Sequence, residues 1–593
     1  MKFTGFNTMS ISFMHIARAT MTLLIAWAVT ACGGGGQVGV APPAGAVSTT
    51  DLRALPTEYL ARQAVSYSPF RTATSADTRD KETITAAMVK EDLELLVQGN
   101  FRLIRLFDSS DKVAKLVLDV IADNKLDMKV QLGAYVNSFK YVDNPYKKEE
   151  IKAGNALELN RAVALATHAK YKDIVLVVSV GNETMVNWSI VPIDPADMAG
   201  YIKFVRDRVT QPVTTDDNFL FYSNPIPKVI TDQIDFAAIH SYPNIDTEYP
   251  DSLFYWDWKQ LSVPAGPARA VAMMDASIVA LKKQFQDTRN ALDSMGLSKM
   301  PIVIGETGWK ARITGDQAFR AHPVNQKMYF QRLETWRQES RVSGTGPANI
   351  FYFEAFDEPW KQGDDGWGLF NVNRKARYVV QNLYPQTMWE STSLKDSDAV
   401  YFVPPVITPA FTGNQFTLYS DAPAATPMSG YNLDAFDGST APRNLNDTTT
   451  VAPGDGSVSM AITPAPANYG WGLLFNPQVA RTTQNLSAFG FVNAWINTTY
   501  PGKIEIGLST LDTDGNTQET FVQIGNGDHG YCNTGKWCQV SIPLSAFKAK
   551  NAKLDFRLVL NPFYLADRYQ FTGKDLNSNI NTKLNVDGIH WSR

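Results

Sequence analysis

From Tyr59 to about residue 390, short apolar runs rich in β-branched residues alternate with stretches whose apolar residues recur at helical spacing, and no other feature constrains the fold as strongly. The runs are AVSYSPF, RLIRLF, VQLGAYV, IVLVVSV, a weaker PVTTDD to NFLFY region, IDFAAIHSY, PIVIGE and NIFYFEAF. Between the first two, Val89, Leu93 and Leu96 form one stripe of a helix ended by Gly99-Asn100. Continuous apolar runs suit strands buried on both faces, as parallel strands are. Eight of them with helices between predict a (β/α)8 barrel over residues 57–395, with a doubly wound open sheet as the alternative.

The pattern changes after the Pro-rich joint VPPVITPAF at 403–411. FVNAWINT, GKIEIGLSTL, ETFVQIG, WCQVSIPL, KLDFRLVL and KLNVDGIHW read as strands with turn signals between them, and FTLYSDA as a possible first strand, so residues 404–593 predict an antiparallel β-sandwich of jelly-roll type. Asp512 and Asp514 in LDTDGN lack the rest of a calcium loop and read as a hairpin turn. Cys532 and Cys538, close together with a Gly-containing turn between them, are compatible with a local disulfide in an exported protein.

The N-terminus carries its own signal. Lys2, His15 and Arg18 precede the apolar stretch Met21 to Val29, and small residues lead to Cys32 and a run of glycines. The apolar stretch is too short to span a membrane stably and reads as an export signal. It resembles a bacterial lipoprotein signal over residues 1–32, which implies lipidation of Cys32 and an anchor in the cell envelope, at the outer membrane; a plain secretory signal is the alternative. Residues 33–56, nearly free of charge, read as a flexible tether.

Composition narrows the function. A net charge of -4 with no basic block argues against a nucleic-acid partner. Six histidines without HExxH or paired spacing predict no catalytic metal, and no cofactor is expected. Two carboxylates stand out instead, Glu183 in VVSVGNETMVNW and Glu306 in PIVIGETGWK, each just after a strand-like run and so facing the mouth of a barrel. Retaining glycoside hydrolysis needs two such carboxyls, one as nucleophile and one as acid and then base.

Asn-Glu after the fourth strand and Glu at the end of the seventh resemble the retaining glycosidases of clan A. More narrowly, GNE, GETGW, Phe356-Asp357-Glu358-Pro359-Trp360-Lys361, Gly366-Trp367-Gly368-Leu369-Phe370 and Ile104-Arg105-Leu106-Phe107 resemble, in order and spacing, motifs of glycoside hydrolase family 17. That resemblance implies a β-1,3-glucan substrate of laminarin type, Glu183 as acid/base, Glu306 as nucleophile, Glu358 and Lys361 in supporting positions, and Asn182 on the sugar 2-hydroxyl. Asp357 and Asp364 depart from the family pattern. Arg105, Tyr67, Tyr135 and Tyr242 fall at strand ends, with Tyr242 the strongest candidate of the three tyrosines for a hydroxyl near the nucleophile. Trp256, Trp309 and Trp367 are further candidate substrate contacts, and Phe254 and Trp258 share the segment of Trp256. His240 reads as a core histidine or as support behind the site. FTLYSDA and NVDGIHW resemble the terminal strands of galactose-binding-like carbohydrate-binding modules, and Trp471, Trp537 and Trp591 either line a glycan platform or pack. A monomer is expected. A β-1,3-glucanosyltransferase using the same two glutamates and a non-catalytic glycan-binding lipoprotein are the alternatives.

Overall fold

The computed structural model describes residues 52–573 and 582–593, apart from 141, 143, 187–188, 190, 248–253, 314–316, 436–439 and 465–469. The signal segment, most of the tether and Cys32 lie outside the described residues. Two compact units divide at Phe402 and Val403.

In the first unit eight parallel strands close into a barrel: β1 Gln63–Ser66, β2 Phe101–Arg105, β3 Lys129–Ala134, β4 Val175–Asn182, β5 Val213–Asn218, β6 Ala237–His240, β7 Ile302–Thr307 and β8 Ile350–Tyr352. β8 pairs with β1, so no edge is left and the open-sheet alternative is excluded. The helix Ala86–Gln98 shows how local sequence feeds this architecture. Thr85 caps it by accepting Met88 N–H at 3.2 Å, and Val89, Leu93 and Leu96 bury the expected stripe. Burying each such side chain contributes about 1.5–3 kcal/mol, and Leu93→Ala would cost ~2–5 kcal/mol by leaving a cavity. The weak fifth run divides: Val213–Asn218 is strand, whereas Phe219–Ser223 turns into a short helix started by Asn218, whose side chain accepts Leu220 N–H at 3.0 Å.

Strand register places the chemistry. Asn182 pairs with Asp216 across β4 and β5, and His240 with Glu306 across β6 and β7. Groups far apart in sequence therefore meet at the C-terminal ends of adjacent strands.

The second unit is antiparallel and sandwich-like. Its strands are β9 Gln415–Tyr419, β10 Tyr431–Ala435, β11 Thr440–Asp447, β12 Ser459–Pro464, β13 Trp471–Pro477, β14 Phe491–Thr498, β15 Ile504–Leu511, β16 Thr517–Ile524, β17 Trp537–Pro543, β18 Val559–Asp567 and β19 Leu584–Ser592. One sheet has the order β10-β13-β18-β15-β16; the other is β11-β12-β19-β14-β17, with β9 also on β19. The KLDFRLVL run is corrected: the residues up to Leu558 lie in turns and irregular backbone, and the strand runs from Val559 to Asp567. Trp471 and Trp591 are core residues whose indole N–H groups donate inside the sandwich, to the Tyr500 hydroxyl at 2.7 Å and Pro562 O at 2.9 Å, so neither offers a ring face to a glycan. Cys532 and Cys538 are joined, with Cα atoms 5.9 Å apart. Asp512 closes the β15–β16 hairpin by accepting the N–H groups of Asp514 and Asn516 at 3.0 and 2.7 Å.

Candidate active site

Glu306, at the end of β7, is almost wholly buried, and both of its oxygens are engaged. The Tyr242 hydroxyl donates to Oε2 at 2.6 Å, and the Arg105 guanidinium donates to Oε1. Burial by itself would raise this carboxyl, but the charges of His240 and Arg105 and the Tyr242 bond outweigh it and hold Glu306 below the ordinary glutamate value. Glu306 is therefore ionised near neutral pH.

Glu183 stands opposite, its side chain 43% exposed. Its backbone is left-handed, φ 49°, a conformation that costs a non-glycine residue roughly 1–3 kcal/mol and persists only where neighbours impose it. Here its N–H donates to Asp216 O at 2.9 Å, and the Ser189 hydroxyl donates to its carbonyl. His240 bridges the pair: Nδ1 lies 2.9 Å from Glu183 Oε1 and 3.6 Å from Glu306 Oε2. One oxygen of Glu183 and one of Glu306 lie within 4.8 Å of each other.

Asp216, buried on β5, holds the positive groups from below. Its carboxylate lies 3.4 Å from Arg105 Nε and 3.7 Å from His240 Nε2, accepts Gln131 Nε2 at 3.0 Å, and accepts the Ser179 hydroxyl. Gln131 in turn accepts the Tyr59 hydroxyl at 2.6 Å, so a polar chain runs down the barrel interior. Gly305 makes this possible, because a Cβ there would stand 2.2 Å from Asp216 Oδ1. Burial disfavours charge on His240, yet Glu306, Asp216 and Glu183 together push its pKa up to about 10. Asp217, next along β5, accepts Met185 N–H at 2.8 Å; burial and the Glu183 charge push it up to about 7.

The sequence-nominated residues divide three ways. Arg105, Asn182 and Tyr242 join the glutamates, with Arg105 Nη2 donating to Asn182 Oδ1 at 2.6 Å. Tyr135 is mostly buried, and burial raises its hydroxyl above the ordinary tyrosine value, with the Arg79 charge opposing and the Glu183 charge adding to that shift. Glu358 and Lys361 form a separate cluster: Lys361 Nζ lies 2.8 Å from Glu354 Oε2 and also pairs with Glu358. Four aromatic nominations are corrected. The Tyr67 hydroxyl donates to Asp92 at 3.1 Å, within a buried knot in which Asp92 also binds Arg71 and Arg374. Trp256 and Trp309 are buried, their indole N–H groups donating to Pro243 O and Arg320 O at 2.9 and 2.8 Å. Trp367, 1% exposed, packs edge-on against Tyr242 with ring centroids 5.2 Å apart, bracing the tyrosine and offering no open face. Trp258 follows Trp256 into the core, and Phe254, half-buried, packs against it. In each case a large aromatic gains more by burial with its polar tip satisfied than by exposure.

Asp216, Asp217 and Glu354 were missed. The signal for the first two was present: TTDDN ends a β-branched run, the same placement that singled out Glu183 and Glu306. His240, read as support, touches Glu183 directly.

A model of the BtgE/BtgC glycoside hydrolase domain matches residues 64–372, which contain Arg105, Asn182, Glu183, Asp216, His240, Tyr242 and Glu306. The chain belongs to that family. A glucan 1,3-beta-glucosidase of Arthroderma benhamiae is 32% identical over 92 residues, which are 13% of this chain and 27% of that relative. The chain thus spans about a quarter of this curated relative. Among solved structures, an endo-laminarinase from Formosa Hel1_33_131 shares 25% identity over 56% of this chain and 88% of its own, with a TM-score of 0.48. A β-1,3-glucanosyltransferase from Rhizomucor miehei, in complex with laminaritriose, shares 20% identity over 54% of this chain and 96% of its own, with a TM-score of 0.38.

Proposed function

We propose that this glycoside hydrolase domain cleaves β-1,3-glucan by double displacement with retention of configuration, Glu306 acting as nucleophile and Glu183 as acid and then base. The observation that carries the reading is that one oxygen of Glu183 and one of Glu306 lie within 4.8 Å of each other. Retaining pairs stand ~5–5.5 Å apart, whereas inverting pairs need ~6.5–9.5 Å to admit a water between them. Glu306, ionised and oriented through both oxygens, suits attack on the anomeric carbon; Glu183, exposed toward solvent, suits proton delivery to the leaving oxygen. Asn182 Oδ1 is occupied by Arg105, and among the described residues no acceptor engages its amide N–H groups, which suits donation to the sugar 2-hydroxyl. The β-1,3 linkage rests on the sequence motifs and on the partial relative, a glucan 1,3-beta-glucosidase.

Export and anchoring through lipid on Cys32 belong to the same proposal and rest on the N-terminal sequence. Following laminarin cleavage by NMR tests the chemistry: the β-anomer should appear first. Initial α-anomer would reject retention, and longer oligosaccharides as main products would assign glucanosyl transfer. Replacing Cys32 with Ser should release the protein from membranes; a wild-type protein already soluble after export would reject the anchor.

A further inference from the structure

Three aspartates of the C-terminal unit converge from distant segments: Asp421 just after β9, Asp455 in the loop before β12, and Asp587 within β19. One oxygen from each lies within 4.8 Å of those from the other two. Each carboxylate is tied down at one oxygen. Asp421 Oδ2 accepts the N–H groups of Ser457 and Val458 at 2.6 and 3.1 Å and the Ser457 hydroxyl at 3.2 Å. Asp455 Oδ1 accepts Ala422 N–H at 3.0 Å and the Ser420 hydroxyl, and Asp587 Oδ1 accepts Gly588 N–H at 2.8 Å. The opposite oxygens of Asp421 and Asp587 are buried without any hydrogen-bond partner, and Asp587 is wholly inaccessible to solvent.

Unpaired buried carboxylates are costly, and three facing one another repel. Elsewhere this unit supplies cations: Arg568 lies 2.9 Å from Glu505, and Lys583 pairs with Asp447. Among the described residues no such ion pair reaches Asp421, Asp455 or Asp587. Room for the carboxylates is kept by two glycines. A Cβ on Gly456 would stand 1.9 Å from Asp421 Oδ1, and one on Gly588 would stand 2.5 Å from Asp455 Oδ2.

We propose that Asp421, Asp455 and Asp587 bind a calcium ion that ties the end of β9 and the β11–β12 loop to β19. All three donors are hard carboxylate oxygens, which suits Ca²⁺ and not Zn²⁺, which is bound mainly through nitrogen and sulfur. Calcium takes oxygens at ~2.3–2.6 Å in a flexible shell, so oxygens that lie within 4.8 Å of one another fit around one ion, whereas Mg²⁺ demands near-ideal octahedral geometry and keeps several waters, which three fixed carboxylates suit less well. Backbone carbonyls and water complete the shell. This site is independent of the chemistry proposed for the barrel.

Calorimetric titration of the purified full chain with CaCl₂, after chelator treatment, tests the site, together with thermal unfolding. One ion should bind, and saturating Ca²⁺ should raise the unfolding temperature of the C-terminal unit by several degrees, because a ligand that binds only the folded state stabilises it. Asp421→Asn should weaken binding by at least about tenfold, while Asp512→Asn, in the hairpin turn, should leave it unchanged. Asp587→Asn is the more severe variant and risks misfolding, so the wild-type comparison of Ca²⁺ with chelator stands beside it. Absence of binding and of any thermal shift in the wild type, undiminished binding by Asp421→Asn, or an equal response to MgCl₂ would overturn the assignment.

Discussion

At the barrel mouth Glu306, Asp216 and Glu358 each lie against a cationic side chain, whereas in the sandwich Asp421, Asp455 and Asp587 lie against one another. The two regions bury similar groups and neutralise them differently. Arg105 and His240 are fixed in the barrel, so negative charge on Glu306 is stabilised before any substrate arrives, which is what a nucleophile requires. In the sandwich the free oxygens point at a shared space, which is what an ion requires. A buried acidic cluster is therefore informative only once its counter-charges are traced.

Four measurements break or sharpen that contrast. The largest effect belongs to the glutamates. Glu306→Gln should lower turnover on β-1,3-glucan by about three orders of magnitude or more with circular dichroism unchanged, and Glu183→Ala should fall comparably but regain activity with azide on an activated aryl glycoside. Near-normal turnover in Glu306→Gln would end the assignment of the barrel carboxylates to chemistry.

Next is Asp216→Asn, which removes the buried counter-charge of both Arg105 and His240 while keeping the shape. Breaking a buried ion pair on one side costs ~3–5 kcal/mol, readable by urea unfolding of the barrel. A loss under about 1 kcal/mol would mean that Glu306 and Glu183 balance the two cations without Asp216.

The pH dependence follows with signs that can be worked out. His240 is raised in the folded state from 6.5 to about 10, so the folded barrel binds more protons in that interval; the stabilisation is complete below 6.5 and disappears as pH climbs through 10. Glu306 is depressed, so its contribution is present above the unfolded value of about 4.3 and is lost as pH falls through the lower folded value. His240→Asn should flatten the alkaline slope in a urea series, and an unchanged slope would assign it to other groups. The acid limb of activity should likewise lie below about 4.3.

The smallest effect concerns Trp367. Because it braces Tyr242 from a buried position, Trp367→Phe should change KM by less than about threefold while costing ~1–2 kcal/mol of stability. A tenfold rise in KM at unchanged stability would restore a stacking role.

How much of this was legible beforehand depended on the range of the interaction involved. Strand identity in VLVVSVGN and IVIGET, the helix stripe of Val89, Leu93 and Leu96, and the strand-end placement of Glu183 and Glu306 are written in short windows, because burial on both faces of a parallel strand and on one face of a helix imposes local periods. Side-chain partners are not local. Nothing near Trp309 or Trp256 in the chain announces that Arg320 O and Pro243 O will accept their indole N–H groups, and nothing near Tyr67 announces Asp92. The barrel's existence, the strand-end glutamates and the change of architecture near residue 403 were determined by the sequence through local pattern. That His240 bridges both glutamates, that Asp216 anchors Arg105 beneath them, and that three aspartates spread over more than a hundred residues share one space were decided only when closure and register brought distant strand ends together.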